Sequence, residues 1–204
     1  MTMLLLVRHG ATDAAGKIIT GRLPGYALNN QGRAQAAALA ACLSTLKLEA
    51  AYSSPLERAR DTAATIALPH GLGVVERDAM TDIDFGQWNA QPIADLESVS
   101  AFRRFNAHRA FCGIPDGERM SAVQSRMVEA LAEIAEAHPG GTVVAVSHGD
   151  PIRLAVAFYL GLAVDHVHRL EISTGSITAL ELNDADAKLH ALNARNVDML
   201  SGTI

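Results

Sequence analysis

Cysteine, aromatic residues, excess charge and long apolar runs are all scarce in this sequence, and most of these shortages exclude a class of protein. Two cysteines in 204 residues, Cys42 and Cys112, cannot supply a disulfide framework, so the chain fits a reducing, cytoplasmic setting. A formal charge of −5 leaves no basic excess for nucleic acid or an anionic membrane. Any anion site must therefore be gathered locally from arginines, against the overall charge. The longest apolar stretch, Leu154 to Val164, is broken by Gly161 and falls short of the roughly 20 residues that a membrane span needs. The opening run Met3-Leu4-Leu5-Leu6-Val7 is too short for a signal-peptide core, and Arg8-His9 ends it without a small-residue cleavage site. Gly71-Leu72-Gly73 lacks the third glycine of a dinucleotide fingerprint, and no Gly-x-x-x-x-Gly-Lys-Ser/Thr loop is present. His166 and His168 have metal-ligand spacing on one face of an expected strand. They have no cysteine or carboxylate partners, so they read as surface or packing residues. No metal or cofactor is expected.

What remains is an apolar content of 49% with 19% charged residues, enough for a real core and incompatible with disorder. Consecutive rather than alternating apolar residues make Leu4–Arg8 and Thr142–Val146 fully buried strands. Ala50–Ser53 and Gly73–Arg77 read as further short strands. Helices are expected over Gly32–Leu46, Pro55–Ala67 behind a Ser54 N-cap, Ser98–Phe111, Met120–Ala137 (stopped by Pro139-Gly140-Gly141) and Pro151 to about Leu160. From His168 to Asn193 the pattern predicts three strands, with turns at Ser173-Thr174-Gly175 and Asn183-Asp184. With no linker or repeat, the reading is one α/β domain spanning residues 1–204: three α/β/α layers around a mainly parallel sheet, with a β-rich C-terminal end.

Two segments share a design. Val7-Arg8-His9-Gly10 and Val146-Ser147-His148-Gly149 each carry a buried strand into His-Gly. Ligands of open α/β sheets sit beyond the carboxyl ends of strands, so two histidines leaving there could face one pocket. The following glycines let the backbone turn sharply and approach a ligand closely. Arg58, early in the helix after Ser53-Ser54-Pro55, could join Arg8 and Arg22 at that crevice, where guanidinium forks match a phosphate dianion. Arg103, Arg104, His108 and Arg109 form a further basic cluster, read as a solvated helix face rather than a second anion contact.

Leu6-Val7-Arg8-His9-Gly10-Ala11-Thr12 resembles the Arg-His-Gly signature of the histidine phosphatase superfamily, with its phosphoglycerate-mutase-like fold. Ser53-Ser54-Pro55-Leu56 with Arg58-Ala59 and Thr62-Ala63 is similar to the second motif of that family, and Val146-Ser147-His148-Gly149 with Ile152-Arg153 to its second-histidine motif. Gly21-Arg22 and Gly32 through Gln35-Ala36 also fit. The resemblance implies a metal-independent phosphatase acting on a small phosphorylated metabolite. His9 would accept the phosphoryl group, while Arg8, Arg58 and a protonated His148 would hold its oxygens. Thr12, Thr20, Gly21, Arg22 and Gly149 would contact substrate. The proton donor is expected near Phe85-Gly86-Gln87-Trp88, where Asp82 falls on a position usually held by Glu; Asp84 and Glu118 are alternatives.

Three departures bear on substrate. Ala15 stands where phosphate-gripping members carry Asn, Arg119 where Ser is common, and Asp150 where many have a small or neutral residue. A carboxylate at Asp150 could raise the pKa of His148 or repel an acidic substrate. Two alternative functions stay open: mutase-type phosphoryl transfer, and a weakly catalytic phospho-ligand-binding module. A homodimer is a further expectation, because a C-terminal edge strand could pair across a two-fold axis.

Overall fold

The first strand has no polar face. In β1 (Thr2–Arg8), Met3, Leu5 and Val7 lie on one side and Leu4 and Leu6 on the other, and all are buried. Both faces of its sheet must therefore be covered. A computed structural model, which describes residues 1–183 and 186–197, shows how. β4 (Thr142–Ser147) is buried throughout and runs parallel to β1, with Arg8 opposite Ser147. β2 (Ala50–Ser53) lies against β4, and β3 (Val74–Glu76) against β2, both parallel. On the other flank of β1 the chain returns as an antiparallel hairpin of β5 (Ile177–Leu182) and β6 (Ala187–Ala194). The order is β3-β2-β4-β1-β5-β6.

Helices α1 (Asn30–Leu43) and α2 (Glu57–Ala67) bury Leu39, Leu43, Ala63 and Ile66 against one face of the sheet. Two more helices, which we number α5 (Met120–Ala137) and α6 (Gly149–Tyr159), bury Met127, Leu131, Ile152 and Ala155 against the other. The expected three-layer α/β/α architecture with its mainly parallel sheet is the one observed. Between β3 and α5 the short helices α3 (Ile93–Leu96) and α4 (Ser100–Ala107) build a third apolar cluster. There Trp88 meets Phe102 and Phe105 edge-on, as a packing residue.

Local differences have local causes. Helix α1 starts two residues before the expected Gly32, because the Asn29 side chain accepts the Gly32 N–H at 2.9 Å and caps it. Helix α2 starts at Glu57 after an extended Leu56, and Ser54 is not its cap. The strand expected at His168 is instead part of a 3-10 turn, Val164–Arg169, so the tail contributes two strands rather than three. The flank of β1 is already taken by β5, and the 3-10 turn buries Val167 against Leu154 and Ala157 of α6. His166 and His168 consequently do not share a strand face. The turn at Ser173-Thr174-Gly175 is present, with Gly175 in the left-handed region at φ 66°. The other expected turn reaches Asp184, outside the described residues. Among the described residues no helix is long and apolar enough to cross a membrane.

Candidate active site

The register of two neighbouring strands assembles the centre of the site. Because β1 and β4 are parallel with Arg8 opposite Ser147, the next residues, His9 and His148, leave the sheet side by side. Their ring centroids stand 5.1 Å apart. Gly10 lets β1 leave past α1: a Cβ there would lie 2.5 Å from the Gly32 carbonyl oxygen.

His9 is held as one tautomer. Its Nδ1 lies 2.7 Å from the Gly10 carbonyl oxygen, which can only accept, so the proton sits on Nδ1 and the lone pair on Nε2. Burial first, then the Arg58 charge, press its pKa down to about 3, so the ring is neutral across the physiological range. His148 is hydrogen-bonded through Nε2 to Ser54 Oγ at 2.7 Å. Burial, then His9 and Arg58, lower its pKa well below the ordinary histidine value. Burial and the neighbouring guanidiniums thus oppose the imidazolium expected at His148.

Arg58, only 2% exposed, enters from the first turn of α2. It donates through Nε to His9 Nε2 at 3.3 Å and through Nη2 to the Gly21 carbonyl at 2.7 Å and to Asp82 Oδ2 at 3.1 Å. Arg8 donates through Nη1 to the Ile172 carbonyl, while its buried Nε has no partner among the described residues. Burial and the neighbouring Arg153 lower the pKa of Arg8, the mark of guanidiniums crowded together. Such a group is ready for an anion.

Of the three carboxylates considered, Asp82 alone reaches a histidine of the pair, His148. Its Oδ2 is 3.5 Å from His148 Nδ1, and its Oδ1 accepts the Ile83 N–H. Burial raises its pKa, against the opposing pull of Arg58. Asp84 is spent on a turn, accepting from the Gly86 N–H and the Asn89 amide. Glu118 is bound to Arg22 and Arg126. The pair with Glu118 places Arg22, which is 41% exposed in its side chain, outside the lining of the reactive pocket. Its Nε donates to the Asp82 carbonyl instead.

A cavity of about 300 Å³ opens over this centre. Arg8, His9, Thr12, Thr20, Gly21, Asp82 and Gly149 all line it, and Ala15 does so without an amide to offer. The sequence reading missed the apolar wall of Ile18, Ile19, Phe85 and Ile93. It also missed Ser54 as the partner of His148, Thr62, whose Oγ1 accepts the Gly10 N–H, and Arg153 as a pocket residue. Helical spacing could have revealed the last of these, since Arg153 follows Asp150 by three positions.

Residues 4–195 match the model of the histidine phosphatase superfamily, branch 1. The chain belongs to this family. It is 29% identical to phosphoserine phosphatase 1 of Hydrogenobacter thermophilus, over 95% of this chain and 92% of that protein. It is also 29% identical to the 2,3-bisphosphoglycerate-dependent phosphoglycerate mutase of Thermoplasma acidophilum, over 89% of this chain and 88% of that one. The native structure of the mycobacterial glucosyl-3-phosphoglycerate phosphatase Rv2419c superposes with a TM-score of 0.83 at 28% identity, covering 94% of this chain and 98% of that chain.

Within this histidine phosphatase, Asp150 departs from the first of its two expectations, a raised pKa at His148. It pairs with Arg153 at 2.8 Å and Arg109 at 3.3 Å, and these charges outweigh burial to hold its pKa below the ordinary value. Its charge is thereby spent on arginines, and it does not raise the pKa of His148. Arg109, stacked on Phe105 at 5.1 Å, is an internal strut and not part of a solvated face.

Proposed function

We propose that this histidine phosphatase hydrolyses small phosphomonoesters, without a metal, through a phosphohistidine on His9. The observation that carries the reading is the fixed tautomer: a neutral ring whose Nε2 lone pair meets the Arg58 Nε–H, beside the unpartnered Nε of Arg8. In the first step His9 Nε2 forms a bond to phosphorus as the ester P–O bond breaks in line with it. Arg8 and Arg58 hold the equatorial oxygens and offset their growing charge, the work a metal would otherwise do. Asp82, whose raised pKa favours the protonated acid, passes its proton to the leaving alcohol oxygen. His148 lies beside both groups and becomes a better proton carrier once a dianion balances the guanidiniums. In the second step water attacks the phosphohistidine, Asp82 carboxylate takes the proton of the water, and inorganic phosphate leaves.

The phosphoserine and glucosyl-3-phosphoglycerate phosphatases among the relatives support hydrolysis of a small phosphorylated metabolite. The mutase relative supports a second reading, in which a second substrate and not water meets the phosphohistidine. The short stretch Asp82-Ile83-Asp84-Phe85-Gly86-Gln87-Trp88, unlike the Glu-Arg-x-Tyr-Gly pattern of mutases, favours water. A panel of phosphate esters assayed with and without chelator tests the proposal. It requires turnover that chelator leaves intact and that His9→Ala abolishes; activity retained in that variant, or lost to chelator, refutes it.

A further inference from the structure

The charges of the pocket fall into two groups. Around the reactive centre stand Arg8, Arg58 and Asp82. The other charged residues on the wall of the cavity are Asp150 and Arg153, 2.8 Å apart and committed to each other; Arg153 and Arg8 both border Gly149. The other Asp150 oxygen takes Arg109, and Arg153 Nε donates to the Leu170 carbonyl. The wall also includes Ala15, Ile18, Ile19, Phe85 and Ile93, with Thr12 and Thr20. Arg22, which could have brought a free cation, is turned to Glu118.

We propose that Asp150 is a specificity-determining residue: by holding Arg153 and Arg109 it leaves the cavity wall, among the described residues, with no uncommitted cation besides Arg8, so the chain favours phosphomonoesters of uncharged, largely apolar alcohols over esters carrying a carboxylate or a second phosphate. The inference rests on the phosphatase reading and narrows it to a substrate class. An anionic leaving group would have to shed its water against an apolar wall and face a carboxylate whose arginines are already engaged. The same engagement of both arginines by Asp150 disfavours a bisphosphorylated cofactor and so argues against mutase chemistry at this site. An apolar group loses nothing on that wall and gains by leaving water.

Two aryl esters with nearly equal leaving-group acidity isolate the effect: 4-ethylphenyl phosphate and 4-(carboxymethyl)phenyl phosphate. The wild-type protein should prefer the ethyl ester by about tenfold or more in kcat/KM. In Asp150→Asn, which keeps the shape and frees both arginines, the preference should shrink to about threefold or invert, chiefly through a lower KM for the carboxylated ester. Asp150→Glu, which keeps the charge, should restore discrimination, and a thermal melt of each variant separates misfolding from altered selectivity. Equal use of both esters by the wild type, or a preference that Asp150→Asn leaves untouched in a folded protein, overturns the inference. Calorimetric binding of both esters to His9→Ala protein keeps the two claims apart. A binding preference for the ethyl ester without wild-type turnover refutes the phosphatase reading and upholds the pocket's selectivity. The absence of binding by either ester refutes both.

Discussion

Acid should unfold this protein early, and His9 should account for a defined part of the loss. In the native state its pKa lies at about 3, because burial and Arg58 oppose a charged ring, against 6.5 in the unfolded chain. Between these values the unfolded state binds a proton that the native state refuses, so stability falls as pH falls. Each pH unit in that window costs about 1.4 kcal/mol for such a group, so going from about pH 6.5 to about pH 4 removes roughly 3 kcal/mol through His9 alone. His148, shifted in the same direction, adds to the loss. Asp82, whose pKa is raised, works against it, because the native state then holds the extra proton. Urea unfolding at about pH 7 and about pH 4, for wild type and His9→Asn, isolates the His9 share by difference. The variant should lose roughly 3 kcal/mol less than the wild type over that interval. Equal losses in both proteins would show that the ring is not held neutral, and the argument for its nucleophilic tautomer would fail with it.

Replacing Asp82 by Asn should slow alkyl phosphates by about a hundredfold and 4-nitrophenyl phosphate by less than about tenfold, because only the poor leaving group needs the proton; equal slowing in steady-state assays removes Asp82 from that role. Arg58→Met takes donors from His9, Gly21 and Asp82 together and should cut kcat/KM by about a thousandfold. Because Arg58 holds the Asp82 pKa down, the alkaline limb of the kcat/KM profile should also move to higher pH; a limb that stays put or moves down contradicts the coupling. Gly10→Ala would press a methyl to 2.5 Å from the Gly32 carbonyl oxygen. It should cost at least about 2 kcal/mol in urea unfolding, and a neutral result would show that α1 can yield there.

Much of the sheet was legible because buried parallel strands announce themselves. Leu4–Arg8 and Thr142–Val146 could hardly be anything else, and their shared His-Gly ending already put two rings at one sheet edge. The tail misled because Leu170 and Ile172 alternate with polar residues as in a strand, whereas Val164, Val167 and Leu170 recur at the three-residue spacing of a 3-10 turn, and the flank of β1 is already occupied by β5. Charged partners were least legible. Nothing local in the sequence tells that Arg22 turns to Glu118, 96 positions away, or that Arg109 reaches across 41 positions to Asp150. Such pairings depend on how the segment between β3 and α5 folds over the pocket. Packing also separated Asp82 from its two rivals: the sequence offered three carboxylates, and the fold spent Asp84 on a turn and Glu118 on arginines.

The central claim is that Nε2 of His9 carries the phosphoryl group between two steps. Rapid acid-free quenching of wild-type protein mixed with radiolabelled phosphate ester, followed by peptide mapping, addresses it directly. Label should appear on the peptide containing His9, survive alkali, disappear on mild acid treatment and be absent from His9→Asn. Label on another residue, or rapid turnover with no trapped phosphoprotein at any time point, would contradict the account.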